Sequence, residues 1–583
     1  MSAPKAIQRL VEQFERNYDE YTDSKYNETQ LRREFLDPFF SALGWDVANK
    51  KGLQAQFREV IHEDSINVSG STKAPDYCFR FGNQRKFFVE AKKPSVNIKD
   101  DIHPAFQVRR YAWSANLPLS ILSDFDELAI YDCRIKPAAE DKAATARIMY
   151  FTYKEYLTRW DEIASIFSRD AVQNGSFDKY AIENKKKKGV TEVDFAFLAE
   201  LESWRELIAK NFALRNPRLT QRELNYAVQR TIDRLLFLRI GEDRGIERAL
   251  QLQAIGDKPD VYKGLCKLFK DADAKYNSGL FHFEKEDNRP EPPDELSLGL
   301  KIDDKPLKEI ISNLYFPASP YEFSVMPAEI LGQVYEQFLG KTIRLTDGGR
   351  VVIEEKPIVK KAGGVYYTPA YIVNEIVKEV LDPILEGLDP KSAIKLKIID
   401  PACGSGSFLL GAYEYLLTWY RNWYVKDSPK KHRDKLYTDR HGDWTLSTAE
   451  RKRILLGNIY GVDIDAQAVE TTKLSLLLKV LEGETEEAIM KQLSLFKERA
   501  LPDLGYNVKC GNSLVDASFY NLYQYNMFND EENFKINAFE WKKEFPEVFK
   551  GKSPGFDAVV GNPPYVRIQI LQEMQPHQAE FFL

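Results

Sequence analysis

No apolar run in this chain approaches the ~20 residues that a bilayer-spanning helix needs, so a helical membrane protein is excluded. Cysteine is scarce: Cys78, Cys133, Cys266, Cys403 and Cys510 stand far apart, with no CxxC among them. That pattern excludes a disulfide scaffold and a cysteine-rich zinc site, and it fits a reducing cytoplasm. Positive charge is not in excess. The formal net charge is −6, so any nucleic acid has to be held by local basic patches. There is no internal repeat, no GxGxxG and no Walker lysine behind a glycine loop. The first residues, MSAPKAIQRLVEQFERNYDEYT, are charged and helically patterned, unlike a signal peptide. The chain has 583 residues, 43% of them hydrophobic and 29% charged. That is too long for one core and predicts three or four globular domains.

Three stretches differ in pattern. Residues 1–185 begin with helices: Ile7, Leu10, Val11 and Phe14 recur at helical spacing, and Asn27 or Thr29 can cap the helix of NETQLRREFLDPFFSALGW. Strand patterns follow in PDYCFRF, RKFFVEAKK and LPLSILSDFDELAIYDCR, with one helix, HPAFQVRRYAWSAN, among them. ENKKKKG (Glu183–Gly189) reads as a solvated tether. Residues 186–345 carry long helical patterns and read as a connector. IRLTDGGRVVIEEKP is a hairpin pattern turning at Gly348 and Gly349. In residues 346–583 strands and helices alternate, which predicts a doubly wound, mainly parallel sheet. The fold expected is thus α/β and multidomain.

The hairpin PDYCFRFGNQRKFFVEAKK gathers charge. If it centres on Asn83, facing residues have numbers that sum to 166, and Asp76 faces Glu90. Lys92 shares a strand face with Glu90. Two facing carboxylates favour a divalent cation such as Mg²⁺ between them, and a lysine beside them can hold a phosphate or polarise water. That set suits phosphodiester hydrolysis, with Asp76 and Glu90 as metal ligands.

A second set sits in KIIDPACGSGSFLLGAY, which reads as strand, glycine-rich turn and helix. Gly404 and Gly406 let backbone approach a ligand, and Asp400 ends the strand where an acid can engage an ammonium group. At the next strand end, in IYGVDID, Asp463 can accept ribose hydroxyls and Ile464 can cover an adenine. An acid followed by GxG suits a cationic sulfonium cofactor with an amino-acid tail better than a pyrophosphate. In FDAVVGNPPY the prolines end a strand in a stiff turn. The Asn562 side-chain oxygen and the Pro563 carbonyl are two preorganised acceptors, with Pro564 fixing their geometry and Tyr565 able to stack on a base. Aimed at the two hydrogens of adenine N6, they would free its delocalised lone pair for a methyl group from S-adenosylmethionine. The base would have to be flipped out of double-stranded DNA.

In order, DPACGSGSF, YGVDID, GNSL and FDAVVGNPPY resemble motifs I to IV of the γ class of N6-adenine DNA methyltransferases. GGVYYTPAYIVNEIV resembles motif X of the same class. The resemblance implies that Thr368 borders the methionine end of the cofactor and that Ala402 lines its loop. It puts Asn512 at a position where an aspartate is common. Pro75-Asp76 and Glu90-Ala91-Lys92 resemble the PD-(D/E)xK nuclease core. Glu34 then stands where that family often keeps one more acid, and Gln107 and Tyr111 match its QxxxY motif. The whole chain resembles single-chain type IIG restriction–modification enzymes: nuclease (1–185), helical connector (186–345) and methyltransferase (346–583). That family continues with further sheet strands and a target recognition domain, for which Val566–Leu583 leave no room. The resemblance therefore implies a C-terminally truncated chain that methylates DNA poorly. Alternatives are a phage-defence methyltransferase whose nuclease-like domain does not cut, a non-catalytic DNA-binding remnant, and methylation of a protein glutamine. Intact Asp76, Glu90 and Lys92 speak against the first of these, and the nuclease domain and long connector against the last.

Overall fold

A computed structural model describes residues 2–53, 58–62, 67–68, 71–72, 75–82, 84–183, 192–276, 279–286, 292–346, 348–356, 368–438, 444–482, 484, 500–522, 536–550, 553–563, 568–574 and 576–582. The lysine run at 185–188, the turn residue Asn83, residues 363–367, Pro564 and Tyr565 lie outside the described residues. Two compact units form: Met1–Ala196 with Ile240–Ala249 and Ile311–Pro327, and Phe197–Arg239 with Leu250–Ile310 and Ala328–Leu583. The stretch read as one connector, 186–345, is divided between them. Polar anchors explain part of that division. Within the first unit Arg110 pairs with Glu322 at 3.2 Å, the Glu322 N–H donates to Ser114 Oγ at 2.9 Å, and Tyr315 donates to Glu242 at 2.6 Å.

The first unit is built on a six-stranded mixed sheet. Its strands are β1 (Val60–His62), β2 (Tyr77–Phe81), β3 (Gln84–Ala91), β4 (Leu119–Ser123), β5 (Glu127–Asp132) and β6 (Arg147–Thr152), in that order across the sheet. Only β3 and β4 run parallel, and helix α4 (Ile102–Ser114) makes the crossover between them. The helical N-terminus comprises α1 (Lys5–Arg16), α2 (Glu28–Leu31), a π-helical turn (Arg32–Leu36) and α3 (Asp37–Ala42). Asn27 caps α2 reciprocally with Gln30, satisfying two backbone donors at once.

Strand alternation sorts the core into two layers. Tyr77, Phe79, Phe87, Val89 and Ala91 pack with α1 and α3 residues such as Phe14, Phe39 and Phe40. Cys78 and Phe88 pack on the opposite face with Val108, Tyr111 and Ala112 of α4. Both clusters are sealed from solvent, and burial of this kind contributes about 1.5–3 kcal/mol per large apolar side chain.

In the second unit, the greater part of helices α5 (Val193–Arg215) and α6 (Gln221–Asp243), with α7 (Val261–Lys275) and α8 (Ala328–Leu339), precedes a hairpin of β7 (Lys341–Leu345) and β8 (Val351–Glu355). Its turn uses Gly349 at φ +72°, a conformation that suits glycine. A four-stranded, wholly parallel sheet follows: β9 (Ile398–Asp400), β10 (Ile459–Asp463), β11 (Val508–Cys510) and β12 (Ala558–Val559), in the order β11-β10-β9-β12. Helix α9 (Ala370–Leu385) precedes the sheet, whose crossovers include α10 (Ser407–Asp427), α11 (Thr448–Asn458) and α12 (Ala466–Val480). Tyr460 and Val462 of β10 face an aromatic cluster with Phe539 and Phe545. Gly461 between them faces α10, where a Cβ would lie 2.7 Å from Leu409. Both sheet faces are thus covered, as a parallel sheet requires. α12 is tied to α6 by Arg230 and Glu470, 2.6 Å apart. Among the described residues no helix is long and apolar enough to cross a membrane.

Candidate active sites

The strand order reverses between β9 and β12, and ligands of open parallel sheets bind beyond the carboxyl ends of the strands at such a point. Asp400 ends β9 there. It is buried, and its Oδ1 accepts the Ala402 N–H at 3.0 Å. Burial, joined by the charge of Asp463, pushes its pKa up to about 7. Gly561, just past β12, passes so close that a Cβ would lie 2.5 Å from Asp400 Oδ1. The next residue, Asn562, is exposed and donates through Nδ2 to Thr368 Oγ1 at 3.1 Å. Three segments distant in sequence therefore converge: Thr368, the Asp400–Gly406 loop, and Asn562 with its exposed neighbour Pro563.

The loop itself needs its glycines. Gly404 has φ +53° with open space where a Cβ would point, and Gly406 has φ +87° and would drive a Cβ to 2.8 Å from Thr472. Asp463 receives the Gly404 N–H on Oδ2 and the Asp465 N–H on Oδ1, both at 2.8 Å. Each carboxylate oxygen keeps a second acceptor site. Burial pushes the Asp463 pKa up to about 6, against those two N–H donors. Burial disfavours the charged form of both carboxyls, with Lys356 opposing it at Asp463. Ile464 is 48% exposed beside them. Asn512 stands apart in role. Its Oδ1 accepts the Leu514 N–H at 3.1 Å, and its Nδ2 donates to Gln578 at 3.4 Å. Its side chain therefore holds its own turn and helix Pro576–Phe582.

The first unit brings a second set together. β2 and β3 pair Tyr77 with Val89, Cys78 with Phe88 and Phe79 with Phe87, each sum being 166. Nearer the turn a bulge shifts the register, so that Arg80 faces Arg85. Asp76 lies one residue before β2, and Oδ2 accepts the Ala91 N–H at 2.7 Å. By strand parity Asp76 and Glu90 continue the Cys78–Phe88 face, the one that α4 covers. Glu90 is buried. Its Oε1 takes Lys92 Nζ at 2.6 Å, while Oε2 is buried with no hydrogen-bond partner. Burial first, then the Asp76 charge, raises the Glu90 pKa, with Lys92 opposing. On α4, Gln107 Nε2 donates to Tyr111 Oη at 3.4 Å, and the Tyr111 hydroxyl is raised by burial and then by Glu90. A buried carboxylate oxygen with no hydrogen-bond partner, on an acid that feels the charge of Asp76, fits a hard divalent cation.

Of the helix acids, Glu34 is exposed and lies by Tyr26, whose hydroxyl it helps to raise. Glu28 is half-buried, and its pKa is raised by burial and then by Asp76, with Lys92 and Arg32 opposing. Arg32, one turn on, pairs with Asp76 at 3.0 Å. Glu28 and Arg32 are spaced i, i+4 and so share a helix face. That spacing is the sequence signal that points to Glu28 and Arg32, which the residue reading passed over.

Residues 327–500 match the N-6 DNA Methylase family model, and residues 457–581 match the Eco57I restriction-modification methylase model. The chain is 35% identical over 584 residues to the type II restriction enzyme and methyltransferase RM.Eco57I of Escherichia coli, a match covering 100% of this chain and 55% of that protein. It is 24% identical over 215 residues to the adenine-specific methyltransferase PglX of Streptomyces coelicolor, covering 36% of this chain and 15% of the relative. A cryoEM structure of a DrdV–DNA complex aligns at 13% identity with a TM-score of 0.30, covering 93% of this chain and 46% of that one. The chain is similar over its whole length to a restriction–modification methylase. It spans about half the length of its Escherichia coli relative (55%).

Proposed function

We propose that this chain carries the two active centres of a bifunctional restriction–modification enzyme: adenine N6 methylation by the second unit and Mg²⁺-dependent DNA cleavage by the first. The observation that carries the methylation reading is the convergence of Thr368, Asp400 and Asn562 at the reversal of the parallel sheet. S-adenosylmethionine, when bound, supplies the methyl group. The buried Asp400 and Asp463 would face its positive charges and its ribose, and Ile464 would cover its adenine. Thr368, by accepting from Asn562 Nδ2, leaves Asn562 Oδ1 free to accept from the amino group of a target base. The Pro563 carbonyl is the second acceptor. Two acceptors on one N–H₂ oppose delocalisation of its lone pair, and their fixed placement costs no reorganisation. Double-stranded DNA with a flipped adenine is the substrate this implies.

For cleavage, Asp76 and Glu90 would hold Mg²⁺, which supplies a Lewis acid and an activated water. Lys92 lies against Glu90, where it can orient that water or a phosphate. The test has two arms: labelled S-adenosylmethionine with unmethylated mixed-sequence DNA, analysed for N6-methyladenine, and DNA with Mg²⁺, analysed for cleavage. These are run on this chain and on a longer chain containing it. Methyl label in protein and none in DNA would refute the adenine reading. DNA left uncut by the longer chain in Mg²⁺ would refute the cleavage reading.

A further inference from the structure

Resting on that cleavage reading, one contact calls for more. Arg32 holds Asp76 from two sides: Nη1 donates to Oδ1 at 3.0 Å and Nη2 to the backbone oxygen at 3.2 Å. Nη2 also lies 3.3 Å from His62 Nδ1, and the guanidinium sits 4.8 Å over the Tyr77 ring. Both charged partners are largely buried, at 13% side-chain exposure each. Asp76 Oδ2 is meanwhile pinned by the Ala91 N–H, so the carboxylate cannot turn away. Lys92 does for Glu90 what Arg32 does for Asp76. Glu28, Asp76 and Glu90 thus face Arg32 and Lys92, with Lys93 also acting on Glu28, and these cations occupy the charge that a metal would neutralise.

A divalent ion entering beside Asp76 meets a fixed positive charge within a few ångströms, and the two cannot share the carboxylate at no cost. Arg32 opens the π-helical turn Arg32–Leu36, a local distortion that recurs at functional sites. A guanidinium fork matches a phosphate as well as a carboxylate, and it can stay over an aromatic face while its fork exchanges partners. We infer that Arg32 is a charge latch: it neutralises Asp76 before metal loading, is released when a divalent cation binds, and then holds the DNA phosphate brought to that cation.

Metal binding is tested on this chain and cleavage on the longer chain containing it. Mn²⁺ is titrated without DNA and free ion is followed by its electron paramagnetic resonance signal, with thermal melting as a check on folding. Arg32→Gln and Arg32→Ala should bind Mn²⁺ about tenfold more tightly than wild type, or better, the scale on which one neighbouring unit charge moves a carboxylate's proton affinity. Arg32→Lys, which keeps the charge, should stay near wild type. Glu90→Ala should lose the site. At saturating Mn²⁺ the neutral variants should cleave DNA more slowly than wild type, because the phosphate has lost its partner. Neutral variants that bind Mn²⁺ no tighter than wild type, with Glu90→Ala still losing the site, would overturn the latch alone. Wild-type cleavage rates in loaded Arg32→Gln would overturn the hand-over to phosphate. Unchanged Mn²⁺ binding in Glu90→Ala would instead overturn the cleavage site itself.

Discussion

The Asn562 side-chain amide donates to the Thr368 hydroxyl at 3.1 Å, across 194 residues of sequence. That bond fixes which end of the amide faces outward. Asn562→Ala should lower methyl transfer by about 10²–10³-fold, the usual cost of one preorganised polar group at a reacting centre. Cofactor affinity should stay within about twofold of wild type. Thr368→Val should cost about tenfold, in line with one lost hydrogen bond. Rates with labelled cofactor on a longer chain containing these residues check both. Equal rates in Thr368→Val and wild type would remove the orienting role.

Asp400 titrates near 7 and Asp463 near 6 in the fold, both above the ~3.9 of an unfolded aspartate. The folded chain therefore holds these protons more tightly than the unfolded chain. Their contribution to stability is full below about pH 4 and is lost as pH rises through 6 and 7. Melting of the cofactor-free chain should show Asp400→Asn gaining on wild type between pH 5 and pH 8. A gap between the two that is the same at both pH values would contradict the buried, unneutralised carboxyl.

At Gly561 an added methyl has no room beside Asp400. Gly561→Ala should destabilise by about 1–3 kcal/mol, as overpacking does, and should abolish methyl transfer by displacing Asn562. Denaturant unfolding of the variant measures the first effect and product analysis the second. A fully stable and active Gly561→Ala would mean that the close approach is not needed.

Much of this was legible in the sequence, and the exceptions have physical causes. Period-two alternation and a turn signal were enough to place Tyr77 opposite Val89, because register follows from which face is apolar. The bulge between Phe79 and Arg80 depends on fitting a tight turn and leaves no such signature. The Asp400 loop and Asn562 could be read because glycine and proline constrain backbone wherever they occur. Glu34 came from the resemblance alone, whereas the approach of Glu28 and Arg32 to Asp76 depends on how the helix packs on the hairpin. The engagement of Asn512 with Gln578 is set by chain folding 66 residues away. The ion pairs that divide 186–345, such as Arg110 with Glu322, join residues too distant for any local pattern to link.

If the two centres are independent, Asp76→Ala and Lys92→Ala should abolish Mg²⁺-dependent cleavage and leave S-adenosylmethionine binding unchanged. Glu28→Gln should slow cleavage more than Glu34→Gln, since Glu28 feels Asp76 and Lys92. Plasmid cleavage run beside cofactor titration separates these outcomes. Loss of cofactor binding in Asp76→Ala would tie the centres together.

The most direct test of the account is calorimetric titration of this chain with S-adenosylmethionine, wild type against Asp463→Ala. The account predicts saturable binding by wild type and a loss of about 1–3 kcal/mol in the variant, the cost of stranding buried polar partners. Tight binding of NAD with no response to S-adenosylmethionine would contradict it.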